Sequence, residues 1–270
     1  MPYRVGVAGF GTIGKAVGRR LLAGEVEGMA LAAIVSGSRR KAEAALAEMG
    51  GTAVPVVSPR ELADACDIIV ECAPTAAFLE IAEPAMRAGR QMVTVSAAAL
   101  LDHMEIVDLA RRHGGRVIMA TGALLGLDAV RAAAKGTIHA VTMITRKPSR
   151  SLVGAPHLAK IGVDVMALTE PTMLFDGSAR DGARGFPANV NVAAALALAG
   201  IGPDRTRLQI WADPHLERNT HVIQVDADSA SFELRIQNVP SPEKPGTGKI
   251  TALSMIAALE SLSSPLRVGT

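Results

Sequence analysis

Arg4-Val5-Gly6-Val7-Ala8-Gly9-Phe10-Gly11-Thr12-Ile13-Gly14 is the stretch on which the fold turns. Residues 4–8 read as a strand, apolar after Arg4, as expected for a strand covered on both faces of a parallel sheet. Residues 12–23 are rich in helix formers and read as a helix. The pattern G-x-G-x-x-G joins the two. Gly9 permits the tight turn, Gly11 lets a pyrophosphate approach the backbone, and Gly14 lets the helix pack closely on the strand. The N–H groups at the helix start then face the phosphates. This context predicts a dinucleotide cofactor, with Gly9, Gly11, Thr12, Ile13 and Gly14 as its contacts.

Outward from this turn, strands and helices alternate. Strands are predicted at 30–35, 53–57 (weaker), 67–72, 91–96 and 116–120, with helices at 39–49, 59–65, 75–87 and 100–112. Such alternation implies parallel pairing through right-handed crossovers. Residues 1–120 therefore read as a doubly wound, Rossmann-type α/β domain. After Thr121 the pattern changes. A strand at 137–145 ends at the basic turn Arg146-Lys147-Pro148, and a region rich in Gly, Pro and Arg leads to a helix at 191–199. Strands at 207–212, 220–225 and 229–237 follow in succession, which predicts antiparallel pairing in an α+β substrate domain over 121–245. Residues 246–270 carry a last helix, 249–262, expected to pack back on the first domain.

The second strand ends in Val35-Ser36-Gly37-Ser38-Arg39-Arg40. An acid there would bind the ribose 2′-OH of NAD and repel a 2′-phosphate. The stretch has none, and Ser36, Ser38 and Arg39 suit a phosphate. The cofactor is expected to be NADP or NAD, with this composition favouring NADP. Glu71-Cys72-Ala73-Pro74-Thr75 lies at the carboxyl end of another predicted strand, where open α/β sheets bind ligands, so Ala73 is a cofactor candidate. Cys72 has no basic neighbour and reads as a small apolar residue rather than a nucleophile. Among the six histidines, His103 and His113 fall on or near a helix, His139 in a strand, and His157 and His215 in loops. His221 starts a strand among polar residues, and an imidazole of ordinary pKa there suits proton transfer near neutrality.

Composition narrows the chemistry. With 28 Lys+Arg against 26 Asp+Glu, the net charge of +2 gives no reason to expect nucleic acid or an anionic membrane as partner. One Tyr, in the first apolar run, leaves no candidate for a Tyr acid followed by a helical Lys. Two cysteines are too few for a disulfide framework or a Cys-rich zinc site, and no metal ligands are expected. They suit a reduced, cytoplasmic protein. No signal peptide or membrane span is read from the chain.

Several blocks together resemble one family, the L-aspartate dehydrogenases. They are the turn 10–14, Val70-Glu71-Cys72-Ala73, Thr121-Gly122-Ala123-Leu124-Leu125-Gly126-Leu127-Asp128, Phe175-Asp176-Gly177-Ser178-Ala179-Arg180, Phe186-Pro187-Ala188-Asn189-Val190-Asn191-Val192-Ala193-Ala194, Arg218-Asn219-Thr220-His221 and Lys249-Ile250-Thr251-Ala252-Leu253-Ser254. The resemblance implies that Ala123 and Asn189 contact the nicotinamide nucleotide and that His221 is the active-site residue. It also implies reversible NAD(P)-dependent oxidation of L-aspartate to iminoaspartate, which hydrolyses to oxaloacetate and ammonia or feeds NAD synthesis, in a homodimer. Both substrate carboxylates need cationic or N–H partners, for which Ser178, Arg180 and Asn219 are the candidates. A neutral His221 would take a proton, so oxidation is expected to fall at acid pH with a group titrating between about 5 and 8. The family's Asn-Pro-(Lys/Arg)-Thr pattern is here Lys244-Pro245-Gly246-Thr247, which lacks the basic side chain at Gly246; Lys244 or Lys249 are its possible substitutes. Two other readings remain open: a related two-domain reductase acting on an imine or semialdehyde, of the dihydrodipicolinate or homoserine kind, and a non-catalytic NAD(P)-sensing protein.

Overall fold

The computed structural model describes residues 2–187, 190–244 and 246–269. Asn189, expected at the cofactor, lies outside the described residues. The chain divides into two units, one comprising the residues up to Gly122 with Thr251–Val268, the other Ala123–Ile250.

The first unit contains β1 (Tyr3–Ala8), α1 (Thr12–Leu22), β2 (Met29–Val35), α2 (Arg39–Glu48), α3 (Pro59–Ala65), β3 (Ile68–Glu71), α4 (Phe78–Arg87), β4 (Gln91–Thr94), α5 (Ala97–Asp102), α6 (Glu105–His113) and β5 (Arg116–Met119). The strands form a sheet in the order β2-β1-β3-β4-β5, every pair parallel. Its strands are apolar because helices cover both faces: Val5, Val7, Ile68 and Val70 are fully buried. α3 starts where the sequence stops it from starting elsewhere. Ser58 and Glu61 form a reciprocal capping box and Pro59 occupies the first turn.

Two expectations in this unit are corrected. Residues 53–57 form no strand; only an isolated parallel bridge joins Ile34 to Val56. Pro55 accepts from the Ile34 N–H but has none of its own to continue a ladder. The helix expected at 100–112 is two helices, α5 and α6, broken at His103-Met104. At about 100° per residue, Leu100 and Leu109 would lie on opposite sides of one continuous helix. The break lets both be buried.

The second unit contains α7 (Leu127–Ala133), β6 (Ile138–Lys147), α8 (Pro156–Ile161), β7 (Thr172–Ser178), α9 (Ala179–Gly185), α10 (Asn191–Ala199), β8 (Thr206–Ala212), β9 (Thr220–Ala227) and β10 (Ser231–Gln237), and the chain ends with α11 (Lys249–Ser263). The sheet order is β10-β9-β6-β8-β7. The pairs β6–β9, β9–β10 and β7–β8 are antiparallel, but β6 and β8 are parallel. The expected run of three antiparallel strands therefore holds only for β9 and β10. β8 lies on the far side of β6 from β9, reached from β6 through a long helical connection of the kind parallel pairing needs. His157, expected in a loop, sits in α8 against Phe175 and Phe186. One face of the sheet, with Val141, Met143, Leu208, Ile210, Ile223 and Val225, is buried. The other carries Ile144, Trp211 and Val222 in partly exposed positions, with the Arg146 guanidinium 4.9 Å above the Trp211 ring.

From Thr251 onward α11 belongs to the first unit, where Met255, Ile256 and Leu259 join the core with Val5, Val17 and Leu21. Leu259→Ala is expected to destabilise the protein by about 2–5 kcal/mol, the usual result of truncating a fully buried Leu. Leu253→Ala on the exposed face should change stability by under about 0.5 kcal/mol. Chemical denaturation of the two variants checks both figures.

Candidate active site

At the carboxyl edge of the first sheet, three glycines of the turn do different work. Gly9 has φ +96°, and a Cβ there would stand 2.6 Å from the Ala73 nitrogen; a Cβ on Gly14 would stand 2.0 Å from the Gly9 carbonyl oxygen. The chain's own backbone therefore excludes side chains at both. Gly11 has an ordinary φ and nothing within 4 Å of a Cβ placed on it. It is also the N-cap of α1, with no side-chain hydrogen bond to the first turn and no acid within that turn. Gly11 is exposed at the N-terminus of α1, where the uncapped N–H groups of a helix favour an anion such as a pyrophosphate.

At the end of β2, Ser38 caps α2 by accepting from the Lys41 N–H at 3.5 Å, and the Ser38 N–H donates to the Ser36 hydroxyl at 3.3 Å. Arg39 donates to the Val56 carbonyl at 2.7 Å and lies 3.6 Å from Glu43. Beside Gly9, the fully buried Glu71 accepts from the Ala73 N–H at 3.0 Å and from the Thr94 hydroxyl. Burial pushes its carboxyl above the usual carboxylate range, against the pull of those hydrogen bonds. Glu71 thereby ties the end of β3 to that of β4 and fixes the Ala73 segment, a role not assigned from the sequence. The Cys72 thiol donates to the Gly9 carbonyl at 3.1 Å, and desolvation pushes its pKa well up, so it stays a thiol.

In the second unit, Thr145 of β6 stands opposite His221 of β9. The Thr145 hydroxyl lies 3.1 Å from His221 Nδ1. Lys147, two residues along β6, shares the face of Thr145, and both Lys147 and His221 are buried. Burial lowers the Lys147 pKa to about 8. Burial first, and the Lys147 charge second, lower that of His221 to about 3. The expected imidazole titrating near neutrality is thus corrected: it is neutral throughout the working range, and the group that titrates near pH 8 is Lys147.

Two family models match this chain: "Aspartate dehydrogenase, C-terminal" over residues 128–262 and "Homoserine dehydrogenase, NAD binding domain" over residues 9–120. The chain is 52% identical to the L-aspartate dehydrogenase of Bradyrhizobium diazoefficiens, covering 99% of this chain and 94% of that protein. It belongs to the L-aspartate dehydrogenase family. L-aspartate dehydrogenase 3 of Bordetella bronchiseptica is 49% identical, over 98% of this chain and 97% of its own length. The fold also matches the crystal structure of aspartate dehydrogenase from Thermotoga maritima, with a TM-score of 0.73 over 100% of both chains at 22% identity.

Within this family member, the structure brings some expected residues together and separates others. The Ala123 carbonyl accepts from the Asn238 side chain at 3.0 Å, and the Asn238 N–H donates to the Asn219 carbonyl at 2.8 Å, two residues before His221. Ser178 and Arg180 stand elsewhere. Ser178 pairs with Arg207, and Arg207 with Thr142, three residues from Thr145 and so roughly 10 Å along the strands. There Ser178 caps α9 through the Asp181 N–H, and Arg180 pairs with Asp204 at 2.5 and 2.9 Å. Gly246 has no atom within 4 Å of a Cβ placed on it, and Lys244 and Lys249 are exposed. Lys147 was legible only as part of a basic turn.

Gly11→Ala is expected to weaken NAD(P) binding roughly tenfold or more, because the methyl group intrudes where the pyrophosphate approaches. Its melting temperature should stay within about 2 °C of wild type, since no protein atom is displaced. Dinucleotide titration and thermal melts read the two effects separately; Gly14→Ala should lose both.

Proposed function

We propose that the chain oxidises L-aspartate to iminoaspartate with NAD or NADP, the first unit binding the dinucleotide and the second the amino acid. The observation that supports a catalytic second unit best is the buried pair His221 and Lys147 beside Thr145. Bound in the first unit, the nicotinamide ring supplies the acceptor for the hydride that leaves Cα. Oxidation also removes one proton from the substrate's ammonium group. His221 takes it at Nε2, with the Nδ1–H donated to the Thr145 hydroxyl so that the ring is held in one tautomer. The charge on Lys147 opposes protonation of the imidazole. As Lys147 loses its proton near pH 8, His221 becomes the stronger base. This reading accounts for both imine-forming losses, a hydride from Cα and a proton from nitrogen.

The sign of the pH dependence follows. The oxidative kcat/KM should rise through about pH 8, and Lys147→Met should flatten that limb. His221→Ala should lower kcat by roughly 100-fold or more, the usual contribution of a positioned base, with dinucleotide binding unchanged. Wild-type kcat in His221→Ala would sink the role of His221, whereas dinucleotide binding without any turnover of aspartate by the wild type would favour an NAD(P)-sensing protein. Steady-state kinetics over pH 6 to 10, with NAD and NADP tested separately, makes the comparison.

We infer also that the working form is a homodimer joined through the partly exposed sheet face that carries Ile144, Trp211, Val222 and the exposed Met173. Lone apolar side chains are ordinary on a surface, but a contiguous aromatic and aliphatic face is interface material. Sedimentation should give twice the 27.9 kDa chain mass, and Trp211→Glu should give the single-chain mass. Among the described residues no helix is long and apolar enough to cross a membrane. The two unpaired cysteines suit a cytoplasmic enzyme.

A further inference from the structure

Just past the end of β6 the second unit has a small polar recess, lined by Arg150, Ser151, Glu217, Asn219, Asn238 and Gly248 among others. Its volume is about 30 Å³, which admits a small polar group. Asn238 is 5% exposed and its side-chain oxygen is buried without a hydrogen-bond partner, although its side-chain nitrogen is used on Ala123. A buried acceptor left unpaired is costly, so a donor is expected there. Among the described residues Arg150 has no ion-pair partner, whereas Arg180 and Arg207 are held by Asp204 and Asp176.

We propose that this recess holds the side-chain carboxylate of the substrate on Arg150, and so selects a dicarboxylic amino acid. The inference rests on His221 being at the reacting end. Asn219 precedes His221 by two residues, about 7 Å along the chain. A substrate with Cα beside His221 carries its second carboxylate two bonds further on, and a hydrogen bond of about 2.9 Å spans the rest. A guanidinium has five N–H donors in a planar fork. With ligand bound, one edge would turn to the Asn238 oxygen, which has no partner in the free recess, and another would meet the carboxylate in two parallel bonds. The Ser151 hydroxyl and the Asn219 amide add neutral donors. Glu217, exposed at the rim, balances the charge of Arg150, so the recess selects through aimed donors rather than through a net positive field.

Arg150 is exposed, so its replacement removes no packed group. Arg150→Met is expected to raise KM for L-aspartate roughly 10- to 100-fold, as for a lost charged hydrogen bond. The dinucleotide Kd and the melting temperature should match wild type, and Arg150→Lys should restore part of the loss. L-2-Aminobutyrate keeps the α-groups and lacks the second carboxylate, so its kcat/KM should be the same in wild type and Arg150→Met. Calorimetric titration with succinate reads the recess without turnover: binding is expected in wild type and lost in Arg150→Met. Should wild type bind succinate through Arg150 yet fail to oxidise aspartate, the reaction assigned above falls and the recess stands. An unchanged KM for aspartate, with succinate binding also unchanged, overturns the proposal while leaving that reaction intact. Equal losses for aspartate and aminobutyrate would place the α-carboxylate in the recess and overturn it too.

Discussion

Register across the β6–β9 ladder is the constraint on which the second unit's chemistry depends. Val141 faces Val225 and Met143 faces Ile223, and the next pair on that face is Thr145 with His221. The two apolar pairs are buried. A slip of one residue would turn both of them outward, so burial of hydrocarbon fixes where the polar pair must stand. The same face then continues to Lys147. The sheet thus imposes on a histidine and a lysine a desolvated position that neither would take alone, and the lowered pKa of each records that cost.

The first unit was legible because its signals are local. Continuous apolar strands, Ala- and Leu-rich helices and the glycine turn all repeat within short windows, and the capping box at Ser58 marks a helix start without tertiary help. Failures came where tertiary burial overrode the window, as when Leu100 and Leu109 required two helices. In the second unit, succession in the chain was taken for adjacency in the sheet. β8 and β9 follow one another but lie on opposite sides of β6, and nothing in either strand's own residues says so. β7, α8 and α9 were missed inside glycine-, proline- and arginine-rich sequence, whose composition resembles loops, whereas α7 is a short run of helix formers outside that region.

The site was legible in proportion to how far its residues act through the backbone. Gly9 and Gly14 are required by steric contacts within a few residues or at a fixed crossing, so their spacing announces them. Lys147 and Arg150 lie in Arg146-Lys147-Pro148-Ser149-Arg150, which in sequence is a solvated basic turn. What distinguishes these three cations is position. Arg146 stacks on Trp211, Lys147 is buried near His221, and Arg150 reaches a polar recess. Such distinctions arise from the alternation of faces at a strand end and from the chain's exit beyond it.

The segment Phe175-Asp176-Gly177-Ser178-Ala179-Arg180 shows the converse: a specific sequence block need not be specific for chemistry. Asp176 accepts from Arg207 and Gln209, and the Arg207 guanidinium holds its carboxyl below the usual range. Ser178 caps α9, and Arg180 pairs with Asp204. A Cβ on Gly182, in the helix that follows, would stand 2.5 Å from Leu208. Each side chain has a task in turning a strand into a helix and seating that helix on β8. Exposed ion pairs of this kind add little stability, about 0–1 kcal/mol each. Their value lies in geometry, because they hold an edge strand and its helix in one arrangement. An arginine's job at this corner is therefore read from what already pairs with it: Arg180 and Arg207 have carboxylates of their own and hold the corner in place.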